Sequence, residues 1–138
     1  MADSLKVFLD GLQDAWDAEA SLSSLNGLYL HEKPPELSVG FPYYVLLPDP
    51  GVVWGTTAQS RIWEFEVEIR AYHSTPAAAA AALATVSAIL DADTFTLTLS
   101  DSHDFVMCRR ISAEAASPGK EVSYSSARYR FMTSEPRS

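Results

Sequence analysis

Cysteine occurs once among the 138 residues, glycine six times, and ten basic side chains stand against eighteen acidic ones. A lone cysteine, Cys108, excludes an intrachain disulfide and a thiolate metal cluster within one chain, which fits a reducing cytosol or a particle built there. The glycines are scattered, so no phosphate-cradling loop is available, and P-loop, GxGxxG, HExxH and GxSxG patterns are missing. The longest apolar stretch, Ala77 to Ala84, is mostly alanine and far short of the ~18–20 residues that span a membrane. The first sixteen residues are studded with acids and lack a basic segment followed by an apolar one, so no signal peptide is expected.

The shortage of bases is uneven. Residues 1–69 carry three basic and eleven acidic groups, giving −8, whereas residues 70–138 carry seven of each and balance. An acidic chain is repelled by nucleic-acid phosphate at long range, so DNA or RNA recognition is not expected. The imbalance does suit head-to-tail contact between an acidic face and a locally basic one.

What is present describes a globular chain of one-domain size, residues 1–138, able to bury roughly two-thirds of its unfolded surface. Leu5, Phe8, Leu9, Leu12 and Trp16 recur at spacings of three and four, predicting a helix from about Ser4 to Ala20 with Asp10, Asp14 and Asp17 on its wet side. Leu22, Leu25 and Leu28 carry the apolar signal on through a turn. Pro34 and Pro35 make His31 to Gly40 a loop. Phe41 to Leu47 reads as a strand, and Pro48 to Gly55 as a turn-rich link.

The firmest signal is Arg61 to Tyr72, where Trp63, Phe65, Val67, Ile69 and Ala71 alternate with Glu64, Glu66, Glu68 and Arg70. Strict alternation predicts a strand with one buried and one wet face, spanning roughly 40 Å. Thr75 as cap and Pro76 at the first helical position open a second helix whose inner stripe is Ala79, Ala82, Leu83, Val86 and Leu90. Strands are expected at Thr94–Ser100, Phe105–Ile111 and Val122–Met132, with a turn at Asp101–Asp104, a loop at Ser112–Lys120 and a free tail over residues 134–138. The economical packing is an α+β fold: a mostly antiparallel sheet of about five strands with two helices on one face.

Candidate chemistry is sparse. His103 within Asp101-Ser-His-Asp104 could be a carboxylate-oriented base, but polar residues are what a tight inter-strand turn requires anyway. His31 and His73 have no partner that sequence can place, and zinc needs three or four convergent ligands. Cys108 beside Arg109 and Arg110 could be an activated thiol, although a mid-strand cysteine more often behaves as a small hydrophobe. Asp10, Asp14 and Asp17 make a poor calcium cage and a good solvated helix face. No catalytic, metal or cofactor site is expected.

The row Glu64, Glu66 and Glu68 projects from one strand face about 6–7 Å apart and calls for cations opposite. Arg109, Arg110, Arg128 and Arg130 on later strands can supply them. The pairs can form within one sheet, at about 0.2–1 kcal/mol each, or between subunits. These seven residues are therefore the candidate subunit interface.

In order along the chain, the elements resemble the tail-terminator and tail-completion family of long-tailed bacteriophages. An amphipathic helix runs into Leu25-Asn-Gly-Leu-Tyr29, and a proline-bearing loop precedes Phe41-Pro-Tyr-Tyr-Val-Leu46. The long strand leads straight into the second helix, and Ser126-Ala-Arg-Tyr-Arg-Phe131 looks like the closing strand. The chain departs from the family pattern at Pro48–Ser60 and Asp101–Asp104. The resemblance implies a virion protein of the tail or neck, assembled in the host cytoplasm, with no enzymatic activity. It implies a ring, usually of six subunits, capping the tail tube and meeting the head connector or stopper protein. A small ligand-binding or regulatory α+β domain, with Trp16, Trp54 or Trp63 around a pocket, is the competing reading. An enzyme built on His103 and Asp104 or on Cys108 is a third.

Overall fold

The computed structural model describes residues 4–19, 28–30, 43–117 and 123–136. Its elements in order are α1 (Ser4–Ala18), β1 (Leu28–Leu30), β2 (Tyr43–Pro48), β3 (Val52–Thr56), β4 (Ser60–His73), α2 (Pro76–Leu90), β5 (Asp104–Ser117) and β6 (Ser123–Pro136). Among the described residues, six strands form one sheet ordered β1-β2-β4-β6-β5, with β3 pairing β4 off that path. All pairings are antiparallel except β1 with β2. The α+β architecture expected from the pattern is what forms.

Alternation in β4 works as sequence suggests. Phe65, Val67, Ile69 and Ala71 are fully buried under the helices, and the intervening glutamates are half-buried on the other face. At 14 residues β4 is long enough to serve two strands on one edge: β2 pairs with its Val67–Tyr72 half and β3 with Arg61–Glu64. Between them the chain bends at Asp49–Gly51. Asp49 Oδ1 accepts the backbone N–H groups of Gly51 and Glu66, each at 3.1 Å, which pins the bend to β4.

Both helices cover one face. Phe8 of α1 stacks on Phe65 at 4.7 Å and tilts against Phe131 at 5.0 Å, while Trp16 meets Tyr44 edge-on at 4.9 Å. Buried on α2 are Ala79, Ala82, Leu83, Val86 and Leu90, the stripe read from sequence. Alanine at these positions lets the helix approach until the Tyr44 hydroxyl reaches the Ala82 carbonyl and the Tyr129 hydroxyl donates to Ser87 Oγ. Thr75 caps α2 by accepting the Ala78 N–H at 3.2 Å, with Pro76 next in line.

Several boundaries differ from expectation. Thr94–Ser100 is not a strand. Phe95, Leu97 and Leu99 do turn inward, but the segment crosses α1 at Gly11, where an added Cβ would lie 2.5 Å from Leu99 Cδ2 and 3.1 Å from the Thr98 carbonyl. Its alternation serves helix packing, so no ladder partner is needed. β3 occupies part of the supposed link Pro48–Gly55 because β4 extends past the end of β2 and offers it an edge. β5 runs to Ser117 because β6 supplies partners along its whole length.

The tail expected from residue 134 is also revised. Ser134–Pro136 belong to β6, and Glu135 is buried among polar partners on α1 and β4. Residues 137–138, the helix end at Ala20, Leu22 and Leu25, the proline loop of 31–40 and the Pro118-Gly119 turn lie outside the described residues.

Candidate interaction surfaces

The seven charged candidates separate into an intrachain ladder and two flanking arginines. Cross-strand register places Glu66 opposite Arg130 and Glu68 opposite Arg128 on the sheet face away from the helices. Arg130 bridges Glu64 at 2.6 Å and Glu66 at 3.3 Å, Arg128 lies 3.6 Å from Glu68, and Arg70 also pairs with Glu68. Arg70 in addition sits 4.7 Å over the Tyr124 ring. Adjacent strands thus neutralise the acidic row inside one chain. Each such pair, partly open to solvent, contributes about 0.2–1 kcal/mol.

The two arginines of β5 go opposite ways. Arg110 aligns with Tyr129 on the helix side and reaches Asp91, the C-cap of α2, at 3.5 Å. Arg109 aligns with Arg130 on the outer face, is exposed, and forms no ion pair among the described residues.

Sequence reasoning missed the apolar margins. Trp54 is 67% exposed, Val52 55%, Val106 48%, Val53 45% and Ile111 42%. The β3–β4 register shifts between Val53 and Gly55, so Trp54 is an extra residue with no partner opposite it. Register on β5 shifts between Phe105 and Met107 and between Arg110 and Ser112, leaving Val106 and Ile111 in the same position. A β-bulge bends its strand and re-aims the extra side chain. Among the described residues, three of the five exposed large hydrophobics are such residues. Only pairing register reveals a bulge, and no local sequence pattern marks these three.

The histidine turn proves to be a structural clasp. Asp101 and Ser102 adopt left-handed φ of 54° and 60°, which folds His103 inward to 5% exposure. His103 Nδ1 lies 3.0 Å from the Asp101 carbonyl and Nε2 3.0 Å from Ser4 Oγ, whose hydroxyl donates to Glu135 Oε2 at 3.0 Å. Glu135 Oε1 accepts from Trp63 Nε1 at 3.1 Å, and Arg61 stands 3.7 Å away. Burial alone would raise the Glu135 pKa, but bonds from Trp63 and Ser4 and the charges of His103 and Arg61 together hold it below the usual carboxylate value. A nucleophilic relay needs the carboxylate behind the imidazole, orienting it. Here the carboxylate accepts the serine hydroxyl itself, and the group ties the start of α1 to the ends of β4 and β6.

Cys108 and the tryptophans are equally unlike sites. Burial, with the Asp91 carboxylate adding to it, pushes the Cys108 thiol up to about 12, away from thiolate chemistry. Trp16 is in the core, Trp63 is held by Glu135 and Trp54 is in solvent, so the three do not converge. A cleft of about 660 Å³ between α1 and the end of α2 is lined by Gly11, Ala15, Ile89 and Phe95 without any of them. His73 bonds locally, to Ser74.

No family model matches the chain, and no curated protein matches it. Among solved structures it is similar to a chain in the virion of a native gene transfer agent (GTA) particle, with a TM-score of 0.68 and 22% identity. That likeness covers 94% of this chain and 96% of the other, so the fold is shared nearly end to end.

Proposed function

We propose that the protein is a structural component of a phage-type virion: a terminator or completion protein of the tail that forms a ring, six-membered by family analogy, between the tail tube and the head connector. The observation that carries this reading is the end-to-end fold likeness to a virion chain. The ordered resemblance of helix, Phe41–Leu46 strand, long strand, second helix and closing strand to tail terminators supports the finer position. A structural role also accounts for a chain whose polar groups are spent on internal ties and whose apolar groups are left at the sheet margins. On this reading the protein is not an enzyme, takes no cofactor, and reaches its place in the virion after synthesis in the host cytoplasm.

Electron microscopy of particles made without this protein tests the reading. Tubes of uncontrolled length or tails without heads are expected. Particles of ordinary length and composition would overturn it.

A further inference from the structure

Trp54 and Val106 lie at opposite margins of the same end of the sheet. At that end the strands run β3, β4, β6, β5, so three strand spacings, about 14 Å, separate the margins. β5 is the last strand in the sheet order and carries Val106, Arg109 and Ile111, all exposed. β3 carries Val52, Val53 and Trp54, beside a recess lined by Asp49, Arg128 and Glu66, the last the most open of the three ladder glutamates and bridged to Arg130. One margin is thus apolar with Arg109 exposed and Asp104 at its start, and the other is apolar with Asp49 nearby.

We infer that the β3 margin of one copy docks against the β5 margin of a second copy, Trp54 seating against Val106 while Arg109 faces Asp49, with Ile111 further along the same margin. The inference rests on the ring reading and names the contact that would build the ring. Charge and position decide the occupant: the exposed Arg109 complements Asp49, and because the two margins lie on opposite edges of the sheet, side-by-side contact of one with the other is heterologous. The bulges of β5 disrupt the regular ladder that an incoming strand would extend, so the contact is made by side chains and not by strand addition. Aromatic anchors in such contacts dominate the affinity.

The test uses Trp54→Glu and the double variant Val106→Glu/Ile111→Glu, measured by sedimentation and native mass spectrometry over a wide concentration range. Because all three side chains are exposed, circular dichroism and urea midpoints should match the parent. Trp54→Ser and Val106→Ser/Ile111→Ser provide the same test without added charge. The parent should self-associate, and each variant alone should do so about 30-fold or more weakly. Mixing Trp54→Glu with Val106→Glu/Ile111→Glu should restore one interface and stop at a 1:1 dimer, since each supplies the margin the other lacks.

A parent that stays monomeric at millimolar concentration overturns the inference, as do variants that associate like the parent or a mixture that stays monomeric. The virion reading fails separately. A ring-forming protein whose deletion leaves particles unchanged sinks that reading alone, and a monomer whose deletion yields defective tails sinks the contact alone.

Discussion

Gly51 shows how narrowly one position can constrain a sheet. Its φ of 84° is open to glycine, and an added Cβ would lie 2.3 Å from the Phe65 ring. Gly51→Ala should therefore destabilise the fold by about 2–4 kcal/mol, combining backbone strain with overpacking, as read from urea unfolding. Glu135 supports a prediction in pH. Its folded pKa lies below its ordinary value, so its stabilising contribution is complete above the ordinary carboxylate pKa and is lost as pH falls through the folded one. Glu135→Gln should lower stability at neutral pH and flatten the acid limb of the stability profile below the ordinary carboxylate pKa. An unchanged acid limb would show that Glu135 is not held as described.

Helix starts and alternating strands are legible in the residue pattern, because their causes are local. Thr75, Pro76 and the inward stripe of α2 follow from capping chemistry and helical period alone. Thr75→Ala should cost about 1 kcal/mol, measured by thermal or urea unfolding. The face assignment of Trp63–Tyr72 is legible for the same reason. Thr94–Ser100 is not, since alternation reports which side chains face inward and is silent on whether the backbone finds a strand or a helix opposite. The glutamate row needs register as well: pattern sets it on one face, and pairing with β6 decides that its cations come from the same chain. A double-mutant cycle on Glu64 and Arg130 in the monomer should return a coupling of about 0.2–1 kcal/mol that shrinks with added salt. A coupling seen only in an oligomer would place the pair between subunits.

The closing strand binds distant parts of the chain together. β6 lies between β4 and β5, and its final residues carry Glu135 to Ser4, 131 positions away in sequence. Truncation after Thr133 removes that carboxylate and the final ladder pairs. It should cost at least about 3 kcal/mol, from several charge-assisted hydrogen bonds, measurable by unfolding or limited proteolysis of α1. A free tail would be removed without effect.

Period, capping and composition were enough to establish the class of fold and the inward faces, because each depends on neighbours within a turn or two of the chain. Pairing register, the bulges that expose Trp54, Val106 and Ile111, the clasp at Glu135 and the helix-bound run of Thr94–Ser100 came only with tertiary contact. Their partners lie tens of residues apart, and side-chain pattern carries no information about which distant backbone will stand opposite.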